Sequence, residues 1–286
     1  MTTSRWTSLA SAIAAAVASG APLALAAQSW RTIDVARQLV DSAPAAANIV
    51  YGTGTFGLRG TTSPLLYHMQ LRYDAERSQP RHTYDSDKRR LEIGVQKSDV
   101  RFTGRKEGES KLQVELARSA PFDLSLNLGA VEADLDLTGL RLTRLRLEVG
   151  ASEARLRFDS LNATHMQNLE VSLGAASFRA SRLANANAPT IRVEAGVGNV
   201  ELDMGGQWTS DIDLRVEVAL GVVTIHVPPE VGIRATVEKV IASFDHEGLV
   251  QRGSEWVSAN YDSAPRKLRI SAKTTLGKLT IDRTGR

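Results

Sequence analysis

The sequence predicts an all-β protein built as a β-solenoid, in which short strands stack in parallel, one rung on the next. Two observations predict this fold. Beyond about residue 120, apolar and polar residues alternate strictly, as a strand with one buried face requires. Small residues interrupt the alternation at nearly constant intervals, and the resulting segments align without gaps. Such self-similarity is typical of repeat architectures, whose units bury a core only by stacking.

Five copies of the repeat start 21, 24, 22 and 23 residues apart, and each reads as strand, small-residue turn, strand. The copies are LSLNLGAVEADLDL (124–137), LRLEVGASEARLRF (145–158), LEVSLGAASFRA (169–180), IRVEAGVGNVELDM (191–204) and LRVEVALGVVTIHV (214–227), with a looser sixth, ISAKTTLGKLTID, at 270–282. The predicted inward ladder includes Leu145, Leu169, Ile191 and Leu214. The alternative is an antiparallel sandwich with hairpins at the glycines. Because the turns lack two-residue hairpin chemistry such as Asn-Gly, the parallel stack is favoured.

A glycine motif near the start of the mature chain has the spacing of a dinucleotide-binding fingerprint. Gly52, Gly54 and Gly57 spell G-x-G-x-x-G, but that motif needs a helix after the glycines. The segment LRGTTSP follows instead and has no helical period. The stretch from Tyr51 to Leu58 aligns with the repeat copy from Ala195 to Leu202. We therefore expect Gly54 to form a rung corner, where glycine can take a positive φ.

The N-terminus has the features of a signal peptide. Arg5 precedes an Ala-rich apolar run, and Ala24-Leu25-Ala26 gives a small-x-small site, so cleavage is predicted after Ala26 or Ala27. A retained membrane anchor is the alternative, although Gly20 and Pro22 interrupt the run. We expect no stable membrane span after cleavage.

The remaining chain divides into segments by pattern. The predicted units are a signal peptide at 1–27, a leader or short capping helix at 28–44, an N-terminal β domain at 45–119, and a solenoid domain at 120–286 with an insertion at 228–266. A capping helix would shield the open end of a stack. In the insertion, Trp256 and Tyr261 are interpreted as core plugs, with glycan-stacking platforms as the alternative.

The composition argues against several classes of function and of site. The formal net charge is +3, from 35 basic and 32 acidic residues, so no strong field would attract nucleic acid. The chain has no cysteine, which excludes disulfides and a lipid-modified cysteine. None of the five histidines is spaced two or four residues from another, as metal sites usually require. We predict no catalytic residue, no cofactor and no metal, and we expect His226 to point to solvent.

Charged columns on the strand exteriors raise one enzymatic alternative, because parallel β-helix enzymes cleave acidic polysaccharides with carboxylates and arginines. The candidate residues are Asp134, Asp136, Arg155, Arg157, Glu201 and Asp203. The simpler interpretation is that opposite charges on neighbouring rungs pair with each other. The short turns of the repeat region also offer no cleft that would exclude water.

Five stretches carry a resemblance to a known family: YGTGTFGLRG (51–60), LLYHMQLRYDAERSQPRHTYD (65–85), WVSANY (256–261), LRI (268–270) and LGKLTI (276–281). With the rungs between them, they resemble the toast-rack family of bacterial envelope proteins. The C-terminal region is similar to LiaF-like cell-wall-active antibiotic response proteins and to candidate adhesin domains. LiaF-like regulators carry several membrane spans before this domain, whereas this chain begins with a predicted signal peptide.

The resemblance implies an exported, non-enzymatic envelope protein, periplasmic or secreted, that presents solenoid faces for interaction or adhesion and has a link to envelope stress. Another envelope protein or a cell-surface glycan is the expected partner, and the oligomeric state is open. The alternative is a β-helix protein that binds or cleaves cell-wall or acidic polysaccharide.

Overall fold

A computed structural model describes residues 30–97 and 110–283, which form one sheet of fifteen strands. The predicted signal peptide lies outside the described residues. The strands are β1 (Trp30–Gln38), β2 (Ala45–Thr61), β3 (Leu65–Asp74), β4 (Ser78–Asp85), β5 (Arg90–Lys97), β6 (Lys111–Ala117), β7 (Pro121–Asp136), β8 (Arg141–Arg157), β9 (Leu169–Ser181), β10 (Thr190–Asp203), β11 (Ile212–His226), β12 (Gly232–His246), β13 (Leu249–Arg252), β14 (Glu255–Ser258) and β15 (Lys267–Asp282). One short 3-10 helix, Leu183–Ala186, lies between β9 and β10.

Eight long strands form a parallel stack in the order β2, β7, β8, β9, β10, β11, β15, β12. Leu169 pairs with Leu145 on one side and Ile191 on the other, which confirms the predicted inward ladder. Leu147 pairs with Val171 of the next strand, so the hairpin alternative is wrong. The predicted all-β, solenoid-like fold is confirmed.

Each repeat forms one long, bent strand, where the sequence suggested two strands separated by a turn. In β8, Leu147 and Val149 are buried, and burial then resumes at Ala154 and Leu156. The buried positions therefore change from odd to even numbers, and the four residues between them, 150–153, are exposed or only partly buried. Because side chains alternate along a strand, this change of phase marks a corner that keeps both arms facing the same core.

The chain returns from the end of one bent strand to the start of the next through a third side. The connection between β7 and β8 is only 137–140. Longer connections add buried Phe158, Met166 and Leu183 to the core. Asn162 is buried there and donates from Nδ2 to the carbonyl oxygens of Leu142 (2.8 Å) and Ala186 (3.1 Å). These bonds satisfy backbone groups that a loop would otherwise bury unpaired.

The glycine column lies at the corner, as the sequence predicts. Gly198 pairs with Gly221, and Gly221 pairs with Gly277. At Gly221 φ is 147°, and an added Cβ would lie 1.8 Å from the carbonyl oxygen of Gly198. The φ of Gly54 is also positive, at 114°, and it lies within β2, which continues to Thr61. The fingerprint glycines therefore form a rung corner without a following helix.

At the N-terminal end the sheet forks. The first arm of β2 pairs with β5, which pairs with β4, and the second arm pairs with β6, followed by β3 and β1. The predicted capping helix within 28–44 is wrong, because Trp30–Gln38 is a strand antiparallel to β3. The alternating Ile33 and Val35, which both pack on the core, follow a period of two. Both β2 and β7 contribute to one continuous core, and the domain boundary at residue 119 stays a prediction.

At the C-terminal end the predicted insertion contains a further rung. β12 is parallel to β15, which inserts between β11 and β12. The antiparallel hairpin of β13 and β14 then pairs with the first arm of β12. The sequence showed the alternation of Val231, Ile233 and Ala235, but it did not show that this segment forms a rung of the stack. The stack therefore ends on β12.

Candidate interaction surfaces

An open groove of about 690 Å³ crosses the outside of the stack along the corner. We call it the outer groove. Its lining residues come from β7, β8, β9, β10, β11 and β15 and include Asn127, Gly129, Glu148, Gly150, Ser172, Gly174, Glu194, Gly196, Glu217, Ala219, Lys273 and Thr275. The groove therefore runs across the strands, along the axis of the stack.

The floor of the outer groove is a second column of glycines, distinct from the column of Gly198 and Gly221, and close packing of the backbones is the reason for it. A Cβ at Gly174 would lie 2.8 Å from the carbonyl oxygen of Gly150, and a Cβ at Gly196 would lie 2.8 Å from that of Gly174. A side chain does not fit at such distances without a shift of the backbone. The close stacking that forms the corner therefore also excludes side chains from this column, and the groove lies over it. The aligned repeats contained this signal, because the column is visible in the sequence.

One wall of the outer groove is acidic and partly neutralised. Glu148 accepts a hydrogen bond from Asn127 Nδ2 at 2.8 Å. Arg192 pairs with Glu194 and approaches Glu217 at 3.9 Å. Lys273 belongs to the same wall. The wall therefore combines carboxylates, an amide and hydroxyls, which suit polar partners.

Next to the glycine floor of the groove, one residue further along each strand, lies an exposed apolar row, which we call the corner ridge: Val197, Leu220, Leu276 and Ile241. These residues are in register across β10, β11, β15 and β12 and are 41–71% exposed. The same row begins with Ala151 and Ala175 on β8 and β9. The apolar side chains therefore grow larger toward β12. Sequence reasoning missed this ridge.

The six sequence-predicted candidates lie on the other outer arm of the stack and do not form one site. Asp134 pairs in register with Arg155, and Asp136 with Arg157, on β7 and β8. Glu201 and Asp203 lie on β10, with β9 in between. The structure therefore separates the candidates into two groups.

Most of these charged groups have structural partners. Arg157 donates to Asp136 Oδ2 at 2.9 Å, and Arg179 contacts Glu201 at 2.7 Å. Asp203 accepts hydrogen bonds from the backbone N–H groups of Gly205 (2.7 Å) and Arg182 (3.1 Å). The two arginine contacts match the pairing of charges on neighbouring rungs that the sequence predicts, whereas Asp203 is held by backbone groups.

The Asp136 carboxyl shows what the pairing does to its chemistry. Burial raises its pKa, but hydrogen bonds from Arg157 and from Thr138 outweigh that effect and leave the pKa below its ordinary value. The hydrogen bond to Asp136 also raises the pKa of Arg157. Asp136 is therefore ionised at neutral pH, which does not suit a general acid.

His226 is buried, so the prediction that it points to solvent is wrong. Its Nδ1 forms a hydrogen bond with Asp282 Oδ2 at 3.0 Å, and its Nε2 lies 3.6 Å from Glu201 Oε1. The residue ends β11, where Pro228 and Pro229 line the same pocket of about 390 Å³. Alternation along β11 did predict the outward direction, but the neighbouring carboxylates and the proline turn cover the ring.

The two aromatic residues of the C-terminal hairpin region differ in burial. Tyr261 is 6% exposed, and the Arg234 guanidinium lies 4.4 Å from its ring centroid. Trp256 is partly buried against the core and contacts Phe244 and His246. Both residues therefore cover the end of the stack, in agreement with the core-plug interpretation.

Two features are absent from residues 30–97 and 110–283. No group of three or more His, Cys, Asp or Glu side chains there is arranged to hold a metal ion. In the same residues no helix has the length and apolar character needed to cross a bilayer.

Comparison with solved structures gives similarities at low identity. A candidate cell adhesion protein from Clostridium sporogenes is 14% identical, with 89% of this chain and 100% of that chain covered and a TM-score of 0.48. A candidate adhesin from Bacteroides fragilis is 11% identical (88% and 96% covered, TM-score 0.38). A candidate lipid binding protein from Parabacteroides distasonis is 10% identical (90% and 97% covered, TM-score 0.25). No curated protein matches the chain.

The comparison with family models is specific. The model for the N-terminal domain of toast-rack proteins matches residues 27–177 and 160–226, which is more than half of the chain. The similarity of the C-terminal region to LiaF-like proteins stays a prediction. The matched residues include the bent, parallel rungs from β2 to β11. The chain belongs to the toast-rack family.

Proposed function

We propose that this chain is an exported, non-enzymatic protein of the cell envelope whose solenoid faces bind other envelope components. The observation that carries the proposal is the outer groove beside the corner ridge, an open polar and apolar surface that crosses six strands. Continuous surfaces of this kind are what stacked repeats use for binding.

The outer charges support a binding role over catalysis. Asp136 and Glu201 are each paired with an arginine, and Asp136 stays ionised. Catalytic carboxyls generally need a pKa shifted toward the working pH. A periplasmic or secreted location and a link to envelope stress remain part of the proposal, supported by the signal-like N-terminus and the family.

The test is to express the chain with its own N-terminus, fractionate the cells and measure the mass of the exported form. We expect a product that begins after Ala26 or Ala27. The purified protein should show no turnover of hydrolase or lyase substrates. Robust turnover that disappears when one carboxylate is replaced would contradict the non-enzymatic role, and a product confined to the cytoplasm would contradict export.

A second candidate is glycan binding, which the shape of the outer groove favours. The groove is long and open, and Asn127, Glu148 and Ser172 offer hydrogen-bonding groups along it. A peptidoglycan pull-down in high salt separates this function from nonspecific charge attraction. Retention that Ser172→Trp abolishes would support the groove as a glycan site, and retention unchanged in that variant would argue against it.

A further inference from the structure

The last rung of the stack has a free outer edge. β15 pairs with β12 along Gly232 to His246 on its inner side. On the outer side, β14 pairs only with Arg234, Ala235 and Thr236. Within residues 30–97 and 110–283 no strand pairs with 237–246 on that side. Unpaired N–H and C=O groups in such a row are a template for another strand.

This free edge carries exposed aliphatic side chains. Val240 is 74% exposed and Ile241 is 71% exposed, and they are consecutive at the corner. Ile241 is also the last and most exposed member of the corner ridge. Edge strands in soluble proteins usually carry charges or proline at such places. A free edge that ends in an apolar ridge therefore indicates a surface that another molecule covers.

We propose that a second copy of this chain covers the edge, by antiparallel pairing of residues 237–244 with the same residues. Val237 and Phe244 both pack on the core, whereas Val240 and Ile241 face outward between them. A two-fold axis through the corner exchanges the two arms of the bent strand. It sets Val240 against Ile241 of the second copy and Val237 against Phe244 of the second copy, so core-facing positions meet core-facing positions.

The charges along the edge are compatible with this register. Glu238 would lie opposite Ser243 of the second copy, and Lys239 opposite Ala242, so no like charges meet across the ladder. Asp245 is already held by Lys278 at 2.6 Å. In this register Asp245 would face the position where β14 of the second copy begins. The ladder therefore ends after eight residues.

The length of the ladder sets the strength of the contact. Eight residues at about 3.4 Å each give an edge of roughly 27 Å, a short interface compared with those of stable dimers. We therefore infer a weak, concentration-dependent dimer, independent of what the outer groove binds.

The first experiment measures molecular mass by sedimentation from micromolar to submillimolar protein. Wild type should pass from monomer to dimer, and Ile241→Lys should weaken dimerisation by roughly tenfold or more, because each of the two lysines would bring a charge against Val240 of the other copy at the centre of the contact. The matched control is Val250→Lys, since Val250 is 63% exposed on β13 and outside the edge; it should behave as wild type. A monomer at every concentration, or equal effects of the two lysines, would overturn the proposal.

The second experiment tests the register by disulfide trapping. The chain has no cysteine, so single cysteines report only the designed contact. A mixture of Val240→Cys and Ile241→Cys proteins should form a crosslinked heterodimer faster than a mixture of Val250→Cys and Ile241→Cys. Circular dichroism confirms that each variant is folded. Equal crosslinking in both mixtures would refute edge pairing, even if the protein dimerises.

Discussion

Leu169 lies directly beside Ile191 on the neighbouring strand, and each side chain is at most 1% exposed. Both residues have a rung on either side. Replacing Leu169 with alanine should therefore leave a cavity that neighbouring strands cannot fill, at a cost of roughly 2–5 kcal/mol in the free energy of unfolding. Chemical denaturation of the wild type and the variant measures this difference.

The control is Arg146→Glu, which turns an exposed pair into a repulsion. Arg146 contacts Glu170 at 2.9 Å, and its side chain is 54% exposed. We expect a much smaller loss of stability than for Leu169→Ala, and less still in high salt. Hydrogen exchange on Leu169→Ala should show lost protection centred on residues 145–204. Uniform loss over the whole sheet would instead indicate a single cooperative unit.

The register between rungs could be predicted from the sequence because every copy of the repeat has an aliphatic residue at the same inward positions. Leu145, Leu169, Ile191 and Leu214 occupy one position in the aligned copies and pair in the structure. The glycine column followed in the same way, since close backbone approach excludes side chains from the corner. Parallel stacking in register places these equal positions side by side.

Features that depend on neighbours from distant sequence could not be predicted. The alternation along β11 gave the direction of His226, but its burial depends on Asp282, which is 56 residues away. The rung β12 has Ala242 at the glycine position and exposed aliphatic residues at the corner, so it resembles the other copies weakly. Its place beyond β15 reverses the order of the chain, and no local pattern indicates that reversal.

His226 should contribute to stability through its bond to Asp282. An ionised carboxylate only accepts hydrogen bonds, so the Nδ1–H donates. Replacing His226 with alanine removes this donor from a side chain that is 10% exposed and should cost about 1–3 kcal/mol. His226→Asn retains a donor near the Nδ1 position and should recover part of the loss. If both variants matched wild type in urea denaturation, the contact would be without energetic weight.

Gly221 should be intolerant of any side chain. Its φ is 147°, and the Cβ of alanine would lie 1.8 Å from the carbonyl oxygen of Gly198. The backbone of an entire rung would have to move, so Gly221→Ala should be far less stable than wild type or fail to fold. The measurement is the midpoint of thermal unfolding, together with the soluble yield.

Gly253 provides the control for Gly221, because it separates backbone strain from steric clash. Its φ is 64°, and a Cβ there would meet nothing within 4 Å. Gly253→Ala should therefore lose only about 1–2 kcal/mol, the cost of a left-handed residue with a side chain. Similar losses at the two glycines would show that contact with the neighbouring rung is not the cause.

Asp136 should make stability depend on pH. Its folded-state pKa is lowered, because the bonds from Arg157 and Thr138 outweigh the effect of burial. An unfolded Asp has a pKa of about 3.9. A group whose pKa is lowered by folding contributes stability that is fully present above its unfolded pKa and is lost as pH falls through the folded pKa. Asp136→Asn cannot ionise, so it should lack this pH-dependent contribution.

The measurement is urea denaturation of wild type and Asp136→Asn at several pH values. At neutral pH the wild type should be the more stable protein, and the difference should shrink as the pH falls below about 4. Asp262→Asn is the matched control, because Asp262 is 82% exposed and its contact with Arg252 is long, at 3.7 Å. This variant should differ little from wild type at any pH. A gap between wild type and Asp136→Asn that stays constant down to pH values well below the unfolded pKa would mean that the lost bond to Arg157, and not ionisation, sets the stability.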